Sequence, residues 1–267
     1  MKGTIFLTFD LEEFDLPLEY GVKEENQLFD IPEEGLEKVL EITSKHEVAC
    51  TFFATNVFAE KNPSIIRRLI ESGHEIGSHG FNHSHNYSTI PSEESIQILN
   101  ESRRGLKEIC GCEVPGFRAP RMQPPRMHVL ASAGFKYDSS LHPTYVPGRY
   151  NNLGKNCDIE KIGGIIEVPI SVIPYLRLPY SWIWFRNLGL TYAKIATRST
   201  LAARDFANIY FHPWEFVNLT KRDIPKIIKR NTGEKMIENF RNYVNWCLQH
   251  GFEFKTISDY FESIDVK

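Results

Sequence analysis

Val48-Ala49-Cys50-Thr51-Phe52-Phe53-Ala54 is a near-continuous apolar run. A run of this kind reads as a strand buried on both faces, as the strands of a helix-covered parallel sheet do. Helical signals flank it. Upstream, residues 33–46 place Leu36, Val39, Leu40 and Thr43 at i, i+3, i+4 and i+7, a face widened by Ile42. Downstream, Pro63 stands where a first helical turn favours proline and opens a helix over 64–72. The alternation continues outward. Strands are predicted at 5–9, 75–78, 114–118, 136–138, 165–168, 208–212 and 253–256. Helices are predicted at 92–110, at 127–133 (closed by Gly134), at 191–203, at 234–250 (stopped by Gly251) and at 258–263. Strand–helix alternation argues for an α/β fold with a parallel sheet. About seven strands point to a barrel, complete or incomplete, over an open sheet.

The 267 residues fit one large domain, and no repeat, low-complexity tract or linker divides 1–267. Apolar and charged fractions of 42% and 24% belong to a soluble globule able to build a core. A net charge of −3 gives no electrostatic case for nucleic acid or an anionic membrane. No apolar run approaches the roughly 20 residues of a membrane span, and Met1-Lys2-Gly3 leads directly into the first strand with no signal-peptide pattern. The five cysteines are odd in number and scattered, unlike a disulfide framework. Cys110-Gly111-Cys112 reads as a helix end with two reduced thiols. A cytoplasmic protein is the expectation.

Residues 140–189 break the rhythm, with five prolines (Pro143, Pro147, Pro169, Pro174, Pro179) and few helical signals, and are expected to form an elaborated loop region. Their aromatic group, Tyr175, Tyr180, Trp182, Trp184 and Phe185, fits a sugar-stacking platform, a contact in a homo-oligomer, or a satellite core under a long loop.

The chemistry gathers at predicted strand ends. His79 and His83, in Ile76-Gly77-Ser78-His79-Gly80-Phe81-Asn82-His83, are four apart, so one helical turn would bring both onto one metal. Imidazole is the commonest zinc ligand and a carboxylate a usual third. Thr8-Phe9-Asp10-Leu11-Glu12 supplies two carboxylates pointing to one side of an extended chain, one able to bind metal while the other serves as a base. Arg118, Asp138, Glu167 and His212 close further strands. Together they provide the roles that metal-assisted amide or ester hydrolysis requires.

With these segments in this order, the chain resembles the polysaccharide deacetylase (NodB-homology) superfamily, carbohydrate esterase family 4, from Thr8 through Trp214. The family's Thr-Phe-Asp-Asp opening is matched by Thr8-Phe9-Asp10, but Leu11 replaces the second acid and Glu12 follows, a Phe-Asp-x-Glu variant. The resemblance implies Asp10 as general base, and Glu12, His79 and His83 as metal ligands. It implies Arg118 of Arg118-Ala119-Pro120 as the cation holding the base, and His212 as general acid. Tyr137-Asp138-Ser139-Ser140 replaces the usual Trp/Asp-rich motif, which makes Asp138 the candidate to orient His212. Pro120, Tyr137, Trp182 and Trp214 are expected to contact substrate.

The implied fold is a distorted (β/α) barrel, often seven-stranded. The implied reaction is hydrolysis of an N-acetyl group on a sugar or glycan precursor, or of another small amide. A divalent metal, zinc by expectation, would activate water for it. Two alternatives stand beside this: a metal-independent amidohydrolase of small cyclic ureides, and a carbohydrate-binding barrel without turnover.

Overall fold

The strand Thr4–Leu11 sends alternate side chains into two different environments. Ile5, Leu7, Phe9 and Leu11 enter the large core between sheet and helices. Phe6 packs instead with Phe53, Tyr137, Val168 and Phe206 inside the curl of the sheet. A strand buried on both faces belongs mid-sheet. In this computed structural model, which describes residues 3–22 and 27–263, Thr4–Leu11 pairs in parallel with Phe206–Phe211 on one side and Thr51–Ala54 on the other.

From Thr51–Ala54 the parallel ladder continues through Glu75–Ser78, Gly116–Phe117, Tyr137–Asp138 and Ile165–Glu167. The nine-stranded sheet keeps a parallel wall of seven once antiparallel Glu160–Ile162 and the short Glu253–Phe254 are set aside. The last gap, between the ends of the wall, is bridged without a ladder. Ser171 N–H donates to the Asn208 carbonyl at 2.9 Å, and Asn208 N–H donates to Ser171 Oγ at 2.8 Å. The Asn208 amide donates across the seam to Ser139 Oγ at 3.0 Å. The helix Ile257–Glu262 stops the N-terminal end of the curl, where Ile257 N–H meets Thr51 Oγ1 and Ser258 meets the half-buried Glu75. The opposite end is left for the site. The expected α/β barrel is therefore present in distorted form, as a curled wall with a stitched seam.

Most expected elements recur within a few residues, and Glu75–Ser78 and Ser92–Cys110 keep the predicted bounds. The run at 48–54 pairs only over Thr51–Ala54. The helix expected from 191 starts at Trp182 and bends at Gly189, whose φ of 77° interrupts it. Asn56–Lys61 is an unforeseen helix, capped by Thr55, whose Oγ1 accepts the Phe58 N–H at 3.2 Å. The region 140–189 carries hairpins, Tyr145–Val146 with Tyr150–Asn151 and Val172–Ile173 with Leu178–Pro179. Its aromatic group divides: Tyr180 and Phe185 are core, Trp182 and Trp184 face the pocket, and Tyr175 is exposed. No helix among the described residues is long and apolar enough to cross a membrane.

Candidate active site

Parallel strands deliver their C-terminal ends to one rim, which is where (β/α) sites form. Asp10 and Glu12 leave Thr4–Leu11 there, His79 follows Glu75–Ser78, Arg118 follows Gly116–Phe117, and His212 follows Phe206–Phe211. Asp10, Glu12, His79, His83 and His212 line one pocket, with Trp182 and Trp214 in its wall.

The two histidines converge from a loop, not from the helical turn that their spacing suggested. Gly80 turns the chain at φ 79°, and a Cβ there would lie 2.5 Å from Tyr87 Oη, so only glycine fits. The loop is pinned on both sides. Asn56 and Val57, in the first turn of the helix Asn56–Lys61, donate N–H groups to the carbonyls of Gly80 and Phe81 at 3.0 Å each. Phe81 N–H donates to Tyr87 Oη at 3.0 Å.

Glu12 Oε2 lies 3.1 Å from His79 Nε2 and 3.0 Å from His83 Nε2. All three donor atoms fall within 4.8 Å of one another and all three residues are buried. Tetrahedral zinc, with ligands at roughly 2.0–2.1 Å, holds neighbouring donors about 3.3 Å apart, so this set fits it. The outer partners fit too. His79 Nδ1 donates to the Arg118 carbonyl at 2.8 Å, which leaves Nε2 as the ligand nitrogen. His83 Nδ1 donates to Asp15 Oδ1 at 2.8 Å. Arg121 joins this outer layer, bonding Asp15 at 3.2 Å, Glu19 at 2.5 Å and the His83 carbonyl at 2.7 Å. Asp15, Glu19 and His83 form a second acidic group in space, but the Arg121 guanidinium already neutralises it.

Among the protein's own groups, burial alone would raise the Glu12 carboxyl. The neighbouring His83, His212 and His79 outweigh burial and hold it well below the usual carboxylate range. Burial likewise opposes a charged His83, yet Glu12 and Asp15 push it up to about 9. His212 is raised in the same way, against burial, by Glu12, Glu215 and Asp10.

On the other side of the pocket, Asp10 Oδ1 accepts from Arg118 Nη1 at 2.9 Å. Arg118 is fully buried, held also by Thr8 Oγ1, Ser139 Oγ and the Ser139 carbonyl, with its guanidinium 4.3 Å above the Phe53 ring. Asp10 Oδ2 stays clear of the arginine and faces His212 Nε2 at 3.9 Å. His212 stacks on Trp214 at 4.8 Å and meets the edge of Trp182 at 5.1 Å. Trp214 also donates from Nε1 to Glu12 Oε1 at 3.5 Å. The turn that follows His212 is seated by Gly35, whose missing Cβ would collide with the Pro213 carbonyl at 1.8 Å.

The partner of His212 is Glu215, not Asp138. Glu215 Oε1 accepts the His212 N–H at 2.8 Å and lies 3.4 Å from Nδ1, while Oε2 binds Arg186 Nη1 at 2.7 Å. Asp138 corrects the expectation because it is in register with Leu11, Ala54, Ser78 and Phe117, and alternation puts its side chain on the face opposite Tyr137, away from the inside of the curl. It is fully buried, accepts from Ser140 Oγ at 2.6 Å, and stands beside Glu167 on the next strand. Tyr137 is also displaced from its expected role. Its side chain points into the curl, where its hydroxyl donates to Glu75 at 2.9 Å. Pro120 is buried in the turn Pro120–Met122, and its neighbours Arg121 and Met122 reach the pocket in its place. Glu215, Arg186, Asp15, Arg121 and His142 were not singled out from sequence. Only Glu215 had a signal: an acid three residues after a strand-end residue, where a helical turn begins.

The polysaccharide deacetylase family model matches residues 2–137, and a family described as a domain of unknown function (DUF3473) matches residues 139–262. A peptidoglycan deacetylase of Helicobacter pylori is 27% identical over 118 residues, covering 43% of this chain and 40% of that protein. A chitooligosaccharide deacetylase of Azorhizobium caulinodans is 39% identical over 83 residues, covering 31% of this chain and 39% of that one. The chain thus spans about two fifths of the length of these relatives. In fold it is similar to a Mycobacterium smegmatis protein described as a polysaccharide deacetylase, with TM-score 0.67 and 19% identity, over 98% of this chain and 89% of that one.

Proposed function

The chain belongs to the polysaccharide deacetylase family, and on that premise we propose that it is a metal-dependent hydrolase removing the acetyl group from an N-acetylated sugar or glycan precursor. The observation that carries this reading is the convergence of Glu12 Oε2 on His79 Nε2 and His83 Nε2 within one pocket that also holds Asp10 and His212. Glu12, His79 and His83 would hold the ion, which we take to be zinc. When bound, it supplies Lewis acidity, polarising the acetamide carbonyl and acidifying the attacking water.

The chain's own groups divide the proton traffic. Arg118 occupies Asp10 Oδ1, so Oδ2 is the oxygen that takes the proton of the attacking water. Glu215 and Trp214 set the His212 ring so that Nε2 faces the pocket, where it protonates the departing amine. Each transfer contributes roughly 10²–10⁴-fold to the rate. Trp182 and Trp214 exclude water from that side and give the sugar a flat apolar wall.

Residues 1–267 act in this reading as one catalytic domain. The boundary between the matched segments cuts the sheet at Tyr137–Asp138, and each segment supplies part of the site. A cytoplasmic setting, which would keep the five free thiols reduced, belongs to the same proposal.

The test is elemental analysis of protein purified without added metal, together with acetate release from a panel of N-acetylated sugars. About one metal per chain and turnover lost in His79→Ala are expected. Turnover of a sugar by rigorously metal-free protein would refute the metal role, and sugar binding without acetate release would refute the hydrolase.

A further inference from the structure

Among the buried side-chain atoms that lack a hydrogen-bond partner in the described structure, only His142 Nε2 belongs to a residue lining the pocket. An unpaired buried nitrogen is costly, and at a pocket wall it marks a place where a ligand completes the bonding. The rest of His142 is firmly held. It is 2% exposed, and its carbonyl accepts from Thr144 N–H at 2.8 Å and from the Asn152 amide at 3.2 Å. Its ring stands edge-on to Tyr210, with centroids 6.3 Å apart. Nδ1 faces Tyr150 Oη at 3.0 Å. Tyr150 comes from the hairpin Tyr145–Val146 with Tyr150–Asn151, which closes the pocket with Val146 and Arg149.

We propose that His142 is a substrate-binding residue whose Nε2 hydrogen-bonds a hydroxyl of the sugar bearing the reacting acetamide, making the hairpin that carries Tyr150 the specificity element of the pocket. The inference rests on the sugar-hydrolase reading above and adds the residue that orients the sugar. Burial, with the Arg118 cation adding to it, pushes the imidazole down to about 3, so it remains neutral. A neutral ring offers one donor and one acceptor, and with Tyr150 engaging Nδ1, Nε2 takes the complementary part. That suits a hydroxyl, which can donate or accept, better than an anion. The nearby cations do not change this. Arg121 is bonded to Asp15 and Glu19, and Arg149 lies 3.7 Å from Glu19. Trp182, Trp184 and Tyr150 supply the flat apolar faces that a sugar ring needs. His142, Tyr150, Arg149, Trp182 and Trp184 all lie in the segment 139–262, so that segment would choose the substrate while the first holds the metal.

The experiment uses the full chain and N,N′-diacetylchitobiose as probe. Binding is read from tryptophan fluorescence in protein stripped of metal, and KM and kcat are read separately with metal restored. His142→Phe replaces the imidazole by an apolar ring with neither nitrogen, and Tyr150→Phe removes only the hydroxyl that engages Nδ1. The His142→Phe Kd and KM should rise about tenfold with a much smaller change in kcat, and Tyr150→Phe should follow the same pattern at about threefold. The Tm of His142→Phe should not fall, because an unpaired buried nitrogen is removed. Wild-type affinity in His142→Phe overturns the proposal. So does weakened binding in His142→Phe accompanied by a collapse in Tm while Tyr150→Phe binds normally. Wild-type protein that binds neither the disaccharide nor N-acetylglucosamine overturns it as well. Tight binding without acetate release, weakened by His142→Phe, would refute the hydrolase reading and leave the role of His142 standing.

Discussion

Glu215 grips His212 twice through one oxygen: Oε1 accepts the His212 backbone N–H at 2.8 Å and lies 3.4 Å from its Nδ1. Its second oxygen binds Arg186, and both Glu215 and Arg186 are fully buried. Arg186 is itself anchored by the carbonyls of Arg230 and Ile228 and lies over the Trp182 ring. Its partners fix the position of Glu215, and Glu215 fixes the ring of His212. The proposed acid is therefore oriented by a chain of buried contacts outside the sheet, whereas the proposed base is oriented by Arg118 from inside it.

Glu215→Gln should lower kcat by about tenfold and move the alkaline limb of the pH–rate profile to lower pH. The sign follows from linkage. His212 is raised against burial by Glu12, Glu215 and Asp10, and an acid works only below its pKa, so activity is lost as pH rises through it. Removing one carboxylate lowers that pKa. The substitution also leaves Arg186 buried without its counter-ion, costing about 3–5 kcal/mol. Glu215→Gln with Arg186→Met should recover the Tm without recovering kcat. An unmoved alkaline limb would remove His212 from the acid role.

Metal binding should release protons. His83 is pushed up to about 9 by Glu12 and Asp15 against the opposition of burial, so with no ion bound it carries its proton at pH 7.5. A ligand nitrogen must give that proton up. Calorimetric titration with zinc in buffers of different ionisation enthalpy should show about one proton released per ion at pH 7.5. Release should decline, and apparent affinity level off, as the pH passes about 9. Proton-neutral binding at pH 7.5 would mean that His83 is not a ligand.

The carboxylates should separate by role. Asp10→Asn should keep zinc while losing at least about a hundredfold in kcat, because Asn208, Thr8 and Arg118 still hold the neighbourhood but the proton acceptor is gone. Glu12→Gln should lose zinc at low micromolar concentrations, since an amide replaces the one anionic ligand of the set. Metal content by mass spectrometry alongside kinetics distinguishes the two, and the opposite pattern would exchange the assignments.

The parts of the site that sit at strand ends were legible, because an apolar run that stops on Asp10, His79 or His212 announces both a buried strand and what emerges from it. The histidine spacing was informative for a reason the sequence did not disclose. A glycine turn at Gly80, not a helical turn, brings His79 and His83 together. Asp138 misled because it also ends a strand, yet alternation turns it to the face opposite Tyr137, where its carboxyl meets Ser140 and Glu167. Glu215 was local to His212 and visible in principle as the acid of a helical turn. Arg186 and His142 were not visible at all. Their partners are 29 residues away in one case and in a non-periodic hairpin in the other, so no spacing rule reaches them.

The buried acids Asp138 and Glu167 should make stability depend on pH in the unusual direction. Burial pushes Asp138 up to about 6, and burial together with Asp138 raises Glu167 well above the carboxylate range. For a carboxyl raised on folding, the stabilising proton is fully present below the unfolded pKa and is lost as pH rises through the folded value. Between about pH 4 and 6 the wild type should therefore lose stability from this pair as pH increases. Asp138→Asn keeps an oxygen for Ser140 to donate to, but has no charge to desolvate. It should raise stability at pH 8 by about 1–3 kcal/mol, and the gain should shrink towards pH 4. Thermal melts of both proteins at pH 4.5, 6 and 8 measure this directly. A variant less stable than wild type at pH 8, with the wild-type slope intact, would show that Asp138 is ionised and needed as such, restoring it as a candidate charge in the site.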